Sequence, residues 1–231
     1  MDNFRCTLAV LVRNEIIGAR GTFDRIPWDR FEQTFVVDAN SNDGTVEFYR
    51  EKGIRVIQQS RPGLGAAMLE SRDLCETDAV VFFHPDGNEE AADTVKIREL
   101  LAAGNELVVA SRMINGSWNE EDEKIFKTRK WANQGFALIA NTLWGRGGNR
   151  TTDVTNGLRG IRVDAWDRMG LTSTDCTMDF QMVIRALRKR IPITEFPTRE
   201  GHRIAGATNF ASIDTGIKEL KLILRELARR N

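Results

Sequence analysis

The chain carries no surplus charge: 33 Lys and Arg stand against 33 Asp and Glu. That balance argues against a general nucleic-acid binder, which needs a positive field, and leaves room only for a local basic patch. Cysteine is scarce. Cys6, Cys75 and Cys176 are odd in number and lack C-x-x-C spacing, as expected of reduced thiols in a cytosolic protein rather than a disulfide frame or a zinc site. Long apolar runs are missing too. The first one, TLAVLV, ends at Arg13, too short for a secretion signal, and nothing approaches the ~18 apolar residues of a membrane span. Membrane contact, if there is any, is expected to be peripheral. There is no internal repeat, no low-complexity tract and no evident linker. The 231 residues therefore read as one domain, large enough to bury a core without crosslinks.

What is present is rhythm. Short apolar runs at 7–12, 34–38, 54–57, 79–83 and 106–110 alternate with helical segments at 45–52, 64–76 and 89–103. Strand, helix, strand at this spacing predicts an α/β fold: a mixed, mainly parallel sheet flanked by helices. In such sheets ligands bind beyond the carboxyl ends of the strands, so the strand tips carry the functional interest. The second half changes character. A polar stretch and a helix with aromatics fill 117–150, followed by a strand at 157–163, a helix near 177–190, a short strand near 192–196 and a terminal helix at 212–229. The halves divide as 1–112, a ligand-binding half, and 113–231, an acceptor-side half.

Several tips carry polar groups suited to a ligand. Asp38 ends the second strand, where a carboxylate can accept from a nucleobase N–H or ribose hydroxyls. Asp43, before Gly44 and Thr45, is placed to cap the next helix. Gly63 and Gly65 precede a helix, a weak signal for phosphate binding and equally one for close packing. After the fourth strand come His84, Asp86 and Asn88. In an extended segment they point the same way; Asp and Asn oxygens, with the His nitrogen, suit Mn²⁺ or Mg²⁺ whose shell is completed by phosphates. The same residues also read as a Pro-Asp-Gly turn that reverses the chain.

The order of these blocks resembles family 2 glycosyltransferases of the GT-A fold: NE at 14–15, VVDANSNDGT at 36–45, GLGAA at 63–67, an apolar strand ending in a variant of D-x-D, then ASR at 110–112. The second half, with FKTRKWANQG, TDVTNGLRGIRVDAW and HRIAGATNF, is similar to polyprenol-phosphate sugar transferases of the dolichol-phosphate mannose synthase type. The resemblance implies that Glu15, Asp38 and Gly65 hold a nucleotide-sugar donor, and that Asp86 and Asn88, with His84, hold a divalent metal on its diphosphate. It implies that Arg112, Arg129 and Arg203 hold phosphates and that Asn133 lies near the acceptor. Asp86, Arg112 and Arg129 then carry the transfer. The chain departs from the pattern at His84, where the family has Asp, and at Ala39-Asn40, Asn156 and Thr208-Asn209. Losing one carboxylate lowers the site's charge and points to weaker metal binding or a preference for Mn²⁺.

The reaction implied is an inverting transfer from a GDP- or UDP-sugar to a polyprenyl phosphate. A phosphate acceptor is already ionised near neutral pH; a hydroxyl acceptor needs a base, with Asp86 or Asp153 as candidates. Two rivals remain: a soluble transferase with a saccharide or protein acceptor, and a non-catalytic nucleotide-sugar-binding module. The loop at 198–209 is expected to close over the donor and bring Arg203 to the diphosphate. Ile213, Ile217, Leu220, Leu224 and Leu227 form a helical stripe beside Lys and Arg, and 126–144 carries a second apolar set. Either packs on the core, or touches a lipid surface or a membrane subunit. The expected location is cytoplasmic or peripheral on the cytoplasmic membrane face.

Overall fold

The structure, a computed structural model, describes residues 4–204 and 212–229. The apolar runs form strands β1 (Cys6–Val12), β2 (Gln33–Asp38), β3 (Val56–Gln58), β4 (Ala79–Phe83), β5 (Leu107–Ser111), β6 (Arg159–Arg162) and β7 (Ile193–Pro197). The helices are α1 (Ile16–Thr22), α2 (Thr45–Glu51), α3 (Leu64–Leu74), α4 (Asp93–Ala102), α5 (Thr128–Trp144), α6 (Val163–Met169), α7 (Met178–Lys189) and α8 (Ser212–Ala228).

The strands form one seven-stranded sheet in the order β3-β2-β1-β4-β6-β5-β7. All neighbours are parallel except β6, which runs antiparallel to both β4 and β5. β1, β4 and β5 are buried throughout because helices cover both faces, which is why they read as unbroken apolar runs. Alternate residues feed two cores. Leu8, Val10, Val81 and Phe83 pack with Ala19, Tyr49, Ile97 and Leu101 on one face. Ala9, Leu11, Val80 and Phe82 pack with Met68, Trp166, Met178 and Met182 on the other.

Two features position the site. The chain leaves β1 for β2 and β3 on one side, then returns to β4 on the other. A crevice opens where that order reverses, between the tips of β1 and β4. The antiparallel β6 then brings its beginning, not its end, to the same edge: Arg159 stands opposite Phe82 and Val109. The segment 151–158 is thus delivered to the edge where the other strands finish. The helices α1 and α6, seven residues each, were not expected.

A third core joins the late helices. Ala137 and Ala140 of α5, and Leu222 and Ile223 of α8, pack on Phe180, Val183, Ile184 and Leu187 of α7. The α7–α8 contact is fixed by a buried ion pair: Glu226 accepts from Arg185 Nε at 3.0 Å and from Gln181 Nε2 at 3.1 Å. Removing Glu226 leaves Arg185 buried without that counter-charge. We expect Glu226→Ala to lower stability by about 3–5 kcal/mol, read from the urea midpoint; an unchanged midpoint would contradict the assignment.

Candidate active site

The crevice is a cavity of about 650 Å³. Seven of the ten expected site residues line it: Glu15, His84, Asp86, Asn88, Arg112, Arg129 and Arg203. Asp38, Gly65 and Asn133 do not. Asp38 is fully buried below the wall; its Oδ2 accepts from the Ser41 amide and Gln58 Nε2, while Oδ1 has no partner. Gly65 packs behind the cavity. A Cβ there would lie 2.4 Å from the Ser173 carbonyl oxygen, and the Gly65 and Ala66 amides donate to the Asp175 and Thr174 carbonyls. These helix-end amides are engaged by protein carbonyls, so the glycine serves close packing here. Asn133 is buried and spans Asp153 Oδ1 and the Val154 amide.

The first wall joins β1, β4 and the segment after β7. Arg203 donates to Glu15 Oε1 at 3.0 Å and to Asp86 Oδ2 at 2.7 Å. Asp86 Oδ1 accepts the Asn88 amide at 2.9 Å, which closes the turn. Burial raises the Glu15 pKa, and Arg203 only partly offsets it. Asp43 anchors this wall from behind. It accepts the amides of Ile16 and Thr45 at the starts of α1 and α2, although the N-cap position of α2 itself belongs to Gly44 rather than to Asp43.

Below that turn lies His84. Its Nδ1 sits 2.8 Å from Glu89 Oε1, and its backbone amide donates to Glu89 Oε2. Burial alone would lower the His84 pKa, but Glu89 overcomes this and pushes it up to about 9. Nε2 has no partner; a carboxylate on one ring nitrogen orients a histidine and leaves the other nitrogen toward a ligand. Asp86 and Asn88 supply the oxygen donors of the turn.

The second wall is built around Arg112. Its Nε and Nη2 donate to Asp153, its Nη1 to Glu200 Oε1 at 2.7 Å, and its Nη2 also to Thr155. Burial opposes the Arg112 charge, but Asp153 and Glu200 hold it on. The same pairing outweighs burial and holds Asp153 down to about 2. Arg112 thus binds two carboxylates that fix the 151–156 segment and the end of β7. Glu195 helps from below, accepting from both hydroxyls of Thr151 and Thr152. Arg129, at the start of α5, is half-exposed and more available; among the described residues it pairs with Glu120 at 2.7 Å.

Two wall residues were given no role from the sequence. Arg13 follows β1 directly and has no charged partner among the described residues; its position at a strand tip was the available signal. Asp179, in the first turn of α7, is buried with its Oδ1 unpartnered. Arg159 Nε lies 3.0 Å from that oxygen but directs its N–H to the Asn156 carbonyl. Burial raises the Asp179 pKa. No spacing rule marks such a residue, because α7 reads as a plain core helix. Four unpartnered buried atoms, on Asp38, His84, Asn88 and Asp179, collect at this edge, where orphaned polar groups signal an intended ligand.

Residues 22–170 match the family model described as glycosyl transferase family 2. The chain belongs to that family. Among curated relatives, the glycosyltransferase AglJ of Haloferax volcanii is 28% identical over 202 residues, covering 87% of this chain and 63% of that protein. The low-salt glycan biosynthesis hexosyltransferase Agl6 of the same organism is 25% identical, covering 82% and 45%. The chain thus spans less than two thirds of the length of either. Glucosyl-3-phosphoglycerate synthase from Mycobacterium tuberculosis, solved with Mn²⁺, UDP-glucose and phosphoglyceric acid, superposes with a TM-score of 0.73 at 17% identity, covering 99% of this chain and 82% of that one. A mycobacterial protein superposes with a TM-score of 0.77 at 15% identity. These neighbours share the GT-A-like fold of this family 2 member.

The Arg112–Asp153 pair makes a pH prediction. The folded pKa of Asp153 lies below its unfolded value of ~3.9, so its contribution is present above pH 4 and is lost as pH falls toward 2; it amounts to roughly 2 kcal/mol. Asp153→Asn should lower stability at pH 7 and flatten the loss between pH 4 and 2. Parallel pH profiles for the two proteins would contradict this.

Proposed function

We propose that this chain transfers a sugar from a nucleotide diphosphate sugar to a lipid phosphate, with a divalent metal on the donor diphosphate, while docked on a membrane surface. Family membership supports the donor class, and the crevice at the β1–β4 reversal offers the room. Glu15 and Asp38 are the candidate nucleoside contacts, and Asp38 retains one free acceptor oxygen.

The metal reading fits the residues present. Asn88 Oδ1 is buried without a partner, and Asp86 Oδ2 already faces a cation. Among the described residues no group of three His, Cys, Asp or Glu could hold a metal alone. Two protein oxygens with phosphates and water are the mode by which Mg²⁺ and similar ions bind nucleotides. When bound, the ion offsets the charge that builds on the leaving diphosphate. Arg203, and Arg13 at the tip of β1, would add positive charge to that group. Arg129 is the candidate contact for an acceptor phosphate. Arg112, committed to Asp153 and Glu200, would act by positioning that wall.

One observation carries the acceptor reading. Of thirteen exposed large apolar side chains among the described residues, eleven lie at 125–143 or 213–227. They include Phe126, Trp131 and Leu138 around α5, and Ile213, Ile217 and Leu224 on α8. Lys218, Lys221 and Arg225 accompany the second set. Both helices flank α7, and Arg129 at the head of α5 lines the cavity. An apolar face beside basic residues suits an interface with anionic lipid. No helix among the described residues is long and apolar enough to cross a membrane. The narrower likeness to the dolichol-phosphate mannose synthase type rests on this placement and on the late sequence blocks.

A second reading has its own support. Asp179 is a buried carboxylate on the cavity wall whose Oδ1 accepts no hydrogen bond and whose pKa is raised, as a general base for a hydroxyl acceptor would be. The test separates the two. The chain is incubated with radiolabelled UDP- and GDP-sugars, Mn²⁺, and either polyprenyl phosphate or oligosaccharide. Label entering the organic phase supports the lipid acceptor. Label on oligosaccharide, lost in Asp179→Asn, supports the hydroxyl acceptor and contradicts the first reading. Asp86→Ala should cut either transfer by on the order of 10²-fold or more without a change in fold; wild-type rates would remove Asp86 from the site.

A further inference from the structure

The segment that follows β7 does more than hang over the cavity. It is stitched to the metal-binding turn. The Gly201 amide donates to the Asn88 carbonyl at 2.7 Å, and the Ile204 amide donates to the Asp86 carbonyl at 2.9 Å. The fit is close enough to require glycine on both sides: a Cβ on Gly201 would lie 2.6 Å from the Gly87 oxygen, and one on Gly87, where φ is +92°, would lie 2.5 Å from Ile204. Between the two backbone bonds, Arg203 reaches in. Its guanidinium spans Glu15 Oε1 and Asp86 Oδ2, both largely buried carboxylates.

Arg203 therefore occupies the carboxylate oxygen that a divalent ion needs. Asp86 Oδ1 already accepts from Asn88, so Oδ2 is its outward-facing oxygen. A metal ion and a guanidinium compete for that oxygen: both are cations, and each weakens the other's attraction to it in a half-buried site. We propose that Arg203 is an internal counter-ion that competes with the divalent metal for Asp86, holding residues 201–204 down until a metal diphosphate displaces it. The incoming diphosphate also provides Arg203 with a new anionic partner. The exchange is then favourable with nucleotide present and unfavourable with metal alone. This differs from a lid that closes only on the loaded site, because residues 201–204 are already seated; residues 205–209 of that expected lid lie outside the described residues.

This inference rests on the reading that a divalent ion is held at Asp86, and the experiment keeps the two apart. Mn²⁺ alone is titrated into the full chain and free ion is measured by electron paramagnetic resonance, in wild type, Arg203→Ala, and Arg203→Ala with Asp86→Ala. Thermal unfolding checks that each variant is folded. Arg203→Ala should bind Mn²⁺ at least fivefold more tightly than wild type, and the added Asp86→Ala should abolish the gain. As a second readout, trypsin should cut wild type near Arg199–Arg203 faster with Mn²⁺ and UDP or GDP than with neither. Equal or weaker Mn²⁺ binding by Arg203→Ala, in a chain whose site still depends on Asp86, overturns the competition. Mn²⁺ binding by the double variant equal to that of Arg203→Ala overturns the metal site itself, and the competition with it.

Discussion

Buried carboxylates at one edge of the sheet are the constraint around which the molecule is arranged. Glu15, Asp86, Glu89, Asp153, Asp179 and Glu200 all line the cavity or stand directly behind it. A charge removed from water needs a partner, since leaving it alone costs several kcal/mol. Most of these acids are met by a cation delivered from a distant segment, and Glu89 by a residue five positions away. Arg203 serves Glu15 and Asp86, His84 serves Glu89, and Arg112 serves Asp153 and Glu200. Asp179 is the least satisfied, with Arg159 near but misaligned. These pairs tie the tips of β1, β4, β5 and β7 to one another, and so hold the cavity open at a fixed shape.

The permanent and exchangeable pairs differ in depth. Arg112 and Asp153 are buried at 12% and 0% side-chain exposure, whereas Arg203 is 24% exposed. The deep pair has hydrogen bonds on nearly every donor and resembles a structural strut. The shallower one sits where solvent and ligand can enter, on a segment held by only two backbone bonds. That contrast is what allows one arginine to build a wall and another to act as a movable counter-ion within the same cavity.

Much of the fold was legible because its signals are local. Strands buried on both faces appear as apolar runs, and their tips mark the ligand edge by topology alone. Glu15, Asp86 and Asn88 follow such tips, and the resemblance to family 2 glycosyltransferases placed Arg129 and Arg203 with them before any coordinates. What was hidden depends on partners far away in the chain. Nothing near Gly65 shows that the Ser173 backbone lies against it. Nothing near Arg112 shows that Asp153, 41 residues on, and Glu200, 88 residues on, will take its donors. His84 reads as a ligand, and the structure adds that Glu89 holds its Nδ1 while Nε2 stays without a partner. The antiparallel β6 was also concealed, because an apolar run has no direction. It is nevertheless β6 that carries Asn156 and the segment before it to the active edge.

The central claim is that this edge holds a nucleotide and a divalent ion together, each completing the other's site. Thermal unfolding of the intact chain tests it most directly, since a ligand bound only by the native state raises the midpoint by mass action. UDP, GDP, Mn²⁺ and each nucleotide with Mn²⁺ would be compared. The account predicts a clear rise for one nucleotide with Mn²⁺ and little or none for nucleotide or metal alone. An equal rise with nucleotide in the presence of a chelator, or no rise in any combination, would contradict it.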